Sequence, residues 1–368
     1  MSIESTNIIL VHLGAGKHSD QNRQVLKALL ALAIRHGDPR KNTDFTCPIG
    51  EDMRPFEDSF KALTGISRIV EDSELTNTGF GSSVTRYGDV FCDSSACALD
   101  IERGKLYQHA LVMNSSRYPI ENTIQELSEA CSVHRMWSLG ITPPLMRVGC
   151  VEPDPSLISS RMAQIYSDYK DSLDGESSIG KISHPQGVSD TVGIAVIKPA
   201  RSIVTATSSG GNLFKEPGRI GCAGVVGSAI YSATSSTDQE ITVTVMCSGN
   251  GEDIIQMGLA KSVCEHLIGH YREDSSLLAC EMVADHVLNI SPHFKLRALD
   301  DDYKELVYVG LVGYVELNER GKLRKLIFYY HTTQTMVFGY MTSGSQYEYR
   351  FSELRKGKRE QMGEFLVR

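Results

Sequence analysis

Apolar residues in this chain recur with two periods, and segments of one period come in groups rather than in alternation. Residues 21–36, 55–70, 119–131, 253–268 and 276–290 carry apolar side chains at helical spacing, as does a stretch near 157–170. Short β-branched runs at 8–13, 192–197, 202–207, 241–247, 306–315, 325–330 and 336–341 predict strands. Grouped strands and helices point to an α+β layered domain rather than an alternating parallel sheet. Turn residues from Asn318 to Gly321 separate two late strands and predict a terminal meander. Residues 38–54, with Pro39, Pro48 and Gly50, read as a surface loop between two helices. At 368 residues with 41% apolar content, the chain can bury one large core or two ordinary ones.

Charge and cysteine usage exclude several classes. Lys plus Arg is 37 against 45 Asp plus Glu, a net charge of −8, so no direct nucleic-acid partner is expected. The first apolar run, Ile8 to Leu13, has no basic flank and reads as a strand, not a signal peptide. Every longer apolar stretch is interrupted by Gly, Ser or charge, so no membrane span is expected. Nine cysteines lie singly, without metal spacing, which fits reduced thiols in the cytoplasm or nucleus. The basic cluster Arg355–Arg359 reads as the solvated face of a terminal helix.

One boundary stands out. The polar stretch 171–190 ends at Asp190, and a buried-looking strand, Thr191 to Ile197, starts on the next residue. Such a change marks a place where a chain can be cut. A threonine hydroxyl needs a base to become a nucleophile, and a free α-amino group, with a pKa of about 7.7–8.0, is suited to that task. An N-terminal threonine carries its own base. Attack of the Thr191 hydroxyl on the Asp190 carbonyl, followed by ester hydrolysis, would free that terminus and leave chains 1–190 and 191–368, the first ending in a flexible segment at about 171–190.

Asp190-Thr191-Val192-Gly193, then Ala206-Thr207-Ser208-Ser209-Gly210-Gly211, then Lys215-Glu216-Pro217-Gly218-Arg219-Ile220-Gly221 resembles the asparaginase-like N-terminal nucleophile hydrolases. The resemblance continues through Cys247-Ser248-Gly249-Asn250-Gly251-Glu252, and through Val11 to Ser19, Leu75 to Ser83 with Asp93, and His331 to Met341. Within the family, the threonine-aspartase (taspase) branch is the most similar, through the HLGAGKHS opening, Asp before the nucleophile, and Ser208 to Gly211.

The resemblance implies a four-layer αββα sandwich and an autoprocessing threonine endopeptidase that cleaves protein substrates after aspartate. Thr191 is then the nucleophile, Ser209 its orienting hydroxyl, and Ser248 with the Gly249 N–H the oxyanion hole. Arg219 offers a planar fork to a substrate carboxylate, with Lys215 and Asn250 beside it. Asn77 and Thr76 border the nucleophile region, although turn chemistry explains them equally. No metal or organic cofactor is expected; in some members the loop after Gly14 holds a monovalent cation such as sodium. The cut halves are expected to stay together and to pair as a dimer.

The substrate class turns on position 222. In the small-molecule members, an aspartate three residues beyond the arginine pairs with the substrate ammonium, and here that residue is Cys222. An α-aspartyl peptide has no such ammonium. The alternative substrates are isoaspartyl peptides or asparagine with the same nucleophile. The alternative from another class is an unprocessed, inactive binding protein. His12 and Cys247 read as core residues rather than as base and nucleophile.

Overall fold

The computed structural model describes residues 7–41, 50–132, 142–173, 191–235, 240–300, 302–319, 321–343 and 347–367. Asp190 and most of the segment at 171–190 lie outside them.

Two sheets organise the chain. The larger has eight strands in the order β12-β11-β1-β5-β6-β2-β3-β4. Its members are β1 (Ile8–Gly16), β2 (Cys92–Asp100), β3 (Lys105–Asn114), β4 (Met146–Val148), β5 (Val192–Lys198), β6 (Ser202–Ser209), β11 (Thr335–Thr342) and β12 (Glu348–Glu353). The smaller runs β13-β10-β9-β8-β7. It comprises β7 (Ile230–Thr234), β8 (Glu240–Gly249), β9 (Val309–Glu319), β10 (Lys322–His331) and β13 (Gln361–Leu366). All pairings are antiparallel except β3 with β4. This is the mixed α+β arrangement that the grouped periods predict.

Helices α1 (Arg23–Arg35), α2 (Glu57–Glu71) and α3 (Pro119–Ser132) precede Thr191, as does α4 (Ser160–Leu173). After it come α5 (Gly251–Met257), α6 (Leu259–Glu273) and α7 (Ala279–Ile290). On α1 the buried residues Leu26, Leu30, Ala33 and Ile34 repeat at helical spacing. They join Phe60, Leu63 and Ile66 of α2 over Val192, Ile194 and Val196 of β5. Each large side chain so buried contributes roughly 1.5–3 kcal/mol. On the smaller sheet, Val263, Leu267 and Tyr271 of α6 cover Val243, Val245 and Cys247 of β8. A third apolar cluster draws on both sheets, with Leu10, Ala195 and Ile197 meeting Met246, Val312 and Tyr314.

Several expectations change. The helix read over 253–268 is two helices, because Gly258 sits in the left-handed region at φ 53° and ends the first. The meander stops after β9 and β10, since β11 pairs with β1 in the other sheet. The basic residues 355–359 form an exposed connection between β12 and β13 rather than a helix face. Strands β2 and β3 carry no clear alternation in sequence. Strand β2 is buried along its whole length, and small residues such as Ser94, Ser95, Ala96 and Ala98 fill a place with neighbours on both faces. No described helix is long and apolar enough to cross a membrane.

Candidate active site

The candidate nucleophile lies where the two sheets open. Along β5, Val192, Ile194 and Val196 face the helices while Ala195 and Ile197 face the other sheet. Run one residue back, the alternation of a strand turns Thr191 towards the space between the sheets. β5 pairs with β6 so that Val192 is opposite Ser208. Continuing that register sets Thr191 across from Ser209, which in turn pairs with Asp93 on β2. The antiparallel hairpin is thus what brings together two hydroxyls eighteen residues apart.

Thr191, Ser209, Arg219, Cys222, Gly249 and Asn77 line one small cleft. Thr191 is 4% exposed and Ser209 5%. The Ser209 hydroxyl accepts the Gly211 N–H at 3.0 Å, tightening the turn that follows β6. Asn77 fastens this turn from the other side. Its side-chain amide donates to the Gly211 carbonyl at 2.8 Å, and its oxygen accepts the Ser83 N–H at 2.8 Å. Turn chemistry alone had left Asn77 outside the catalytic set, yet it forms part of the cleft wall.

Cys222 is buried and lines the same cleft as Thr191. Burial pushes that thiol up to about 11, against the opposing pull of Arg219 and Thr191, so it is neutral at ordinary pH. Ser248 ends β8 and is fully buried. Its oxygen accepts the Ala15 N–H at 3.0 Å, which leaves its own hydrogen to be donated elsewhere. Gly249 follows at φ 127°, where a Cβ would lie 2.4 Å from the Tyr308 carbonyl oxygen, so only glycine fits. Asn250 caps α5, its side-chain oxygen accepting the Asp253 N–H at 3.2 Å, and it is not among the cleft residues.

The two cations differ. Lys215 is 7% exposed and donates to the Phe91 carbonyl at 2.7 Å, near Asp93, so its charge acts from behind the cleft wall. Arg219 faces the cleft, but its fork is already engaged. Nε and Nη2 donate to the two oxygens of Glu252, each at 2.8 Å. Pairing raises the arginine and lowers the glutamate from their ordinary values, each against the opposing effect of burial. In the sequence Glu252 is only the last residue of the Cys247–Glu252 motif, with no partner assigned to it.

His12 and Cys247 are buried in strands. Cys247 has its thiol pushed well up by burial. Both ring nitrogens of His12 lack a partner among the described residues, and burial pulls the ring down to about 3, so it is a neutral core residue. The largest described groove lies at the other end of β1, around Asn7, Ile34, Asp58 and Lys61, and holds none of the candidate residues. Among the described residues, no cluster of three or more His, Cys, Asp or Glu is arranged for a metal ion.

Thr191 thus stands at the head of a strand inside the larger sheet, flanked by β1 and β6. Residues 151–292 match the family described as Asparaginase. The chain is 26% identical over 291 residues to a plant-type L-asparaginase of Pyrococcus abyssi, covering 76% of this chain and 85% of that protein. It is 26% identical over 285 residues to an isoaspartyl peptidase of Escherichia coli, covering 75% and 81%. A plant-type L-asparaginase of Pyrococcus horikoshii is 26% identical over 270 residues, 70% and 78% of the two chains. The chain is thus similar over most of its length to plant-type L-asparaginases and an isoaspartyl peptidase, and part of it matches the asparaginase family model.

Proposed function

We propose that the chain is a self-processing threonine endopeptidase that cuts protein substrates after aspartate. The observation that carries this is Cys222, a buried neutral thiol in the same cleft as Thr191, at the position where the resemblance implies an acid in the small-molecule members. A substrate ammonium would meet no negative partner at that position. An α-aspartyl residue within a chain brings a carboxylate but no ammonium. The three apolar clusters support a four-layer αββα sandwich as the scaffold.

In this reading the Thr191 hydroxyl first attacks the Asp190 carbonyl, the peptide nitrogen leaves as the new α-amine, and water hydrolyses the ester. That amine then takes the hydroxyl proton as the oxygen adds to the carbonyl of a substrate aspartate. The oxyanion accepts hydrogen bonds from the Ser248 hydroxyl and the Gly249 N–H, two donors worth several kcal/mol in a water-poor site. The protonated amine passes its proton to the departing nitrogen, and water releases the acyl group. Arg219 holds the substrate carboxylate, and Ser209 orients the nucleophile.

A second reading is favoured by the relatives themselves, which are named as asparaginases and an isoaspartyl peptidase. It keeps Thr191 and changes the substrate to asparagine or an isoaspartyl peptide. One panel separates the two. The processed protein is offered an Asp-containing peptide, an isoaspartyl dipeptide and asparagine, with Thr191→Ala as control. The expected result is cleavage after Asp alone, lost at least 1000-fold in Thr191→Ala, which also stays one chain while the parent splits into pieces of 190 and 178 residues. Aspartate release from the dipeptide without endopeptidase activity would transfer the conclusion to the second reading. An unsplit, inert parent would mark a binding protein.

A further inference from the structure

We propose that Glu252 competes with the substrate's carboxylate for the Arg219 guanidinium, so that Glu252 sets how tightly the site holds an anion. This rests on the reading of Arg219 as the residue that binds that carboxylate.

The guanidinium has one engaged edge and little room on its flanks. Glu252 takes Nε and Nη2 in a two-point pair. A Cβ at Gly211 or Gly221 would come within 2.5 Å or 2.9 Å of Nη1, and one at Gly251 within 2.8 Å of Nη2. Glycine backbone therefore sheathes the group and fixes its plane. While Glu252 stays, an incoming carboxylate has only the end-on N–H groups of Nη1 and Nη2 and meets a guanidinium whose charge Glu252 already offsets.

Charge leads to the same conclusion. Arg219 and Lys215 face Asp93 and Glu252, and Arg297 also acts on Glu252, so the charge of the guanidinium is already answered by carboxylates of the protein. A substrate carboxylate gains most from Arg219 when one of those anions moves away. Asp93 is tied, being 1% exposed with its oxygens accepting the Met113 N–H at 3.0 Å and the Gly221 N–H at 2.7 Å. The side chain of Glu252 is 36% exposed and sits in the first turn of the short helix α5, free to swing into solvent. It is the anion able to yield.

Succinate, which carries the carboxylate chemistry shared by all the substrate readings, is the probe, measured by calorimetry on the processed parent and on Glu252→Gln. The expected result is at least tenfold tighter binding in the variant, with no change for neutral succinamide. Glu252→Asp, one methylene shorter and still charged, should fall between them. If Glu252 only steadied Arg219, both variants would bind succinate no better than the parent or more weakly, and the inference would be overturned while the role of Arg219 stood. Succinate binding that survives Arg219→Ala in the Glu252→Gln background, or that is absent throughout, would instead overturn the reading of Arg219 and the inference with it.

Discussion

Two glycines show how the same residue type answers to different forces. Gly193 has no positive φ; its constraint is space. A Cβ there would lie 2.2 Å from the His12 Nε2 and 3.1 Å from the Met246 Sδ, in the layer between the sheets. Gly193→Ala is therefore expected to cost about 1–3 kcal/mol through overpacking. Urea denaturation measures it, and an unchanged midpoint would show that His12 can move aside. The contact also ties the opening strand to the nucleophile strand, since His12 and Gly193 are register partners two residues beyond Thr191. At this scale the resemblance named Thr191, Ser209 and Arg219, and folding brings these three to one cleft. It was silent on Glu252, because pairing with Arg219 thirty-three positions away is a fact of space.

Elements repeat the lesson. The break between α5 and α6 is set by Gly258 at φ 53° and ψ 42°, with nothing within 4 Å of where a Cβ would stand. Here only backbone strain opposes substitution, and Gly258→Ala is expected to cost about 1 kcal/mol, read from the urea midpoint. A gain in stability would mean that the two helices can merge. The break positions α5 so that Asn250 caps it and Glu252 falls within reach of Arg219. Helical periodicity over 253–268 was correctly legible as helix, but a lone glycine in such a pattern does not announce a turn of direction. Strand β2 was not legible, since its small and polar residues carry no alternation.

For the whole molecule, burial of histidine couples stability to pH. Burial lowers His12 to about 3 and His18, His286 and His331 to about 4, below the ordinary 6.5. In the unfolded chain these rings take up protons below about pH 6.5, whereas in the folded chain they stay neutral until about pH 4 or lower. The unfolded state then binds more protons, so stability falls as pH drops through that window. Urea midpoints measured between pH 7 and pH 4 are expected to decline; a flat profile would show these histidines charged in the folded chain.

By itself the sequence determined the α+β grouping of elements and singled out Thr191 as a candidate, because period, turn residues and the order of motifs are written locally. Tertiary structure decided the rest. Thr191 meets Ser209 and Asp93 only through antiparallel pairing of β5, β6 and β2. Cys222 is a neutral thiol because it is buried, and Arg219 is paired because folding carries Glu252 to it. Both depend on solvent exclusion and on distances between residues far apart in the chain, quantities that no local pattern encodes.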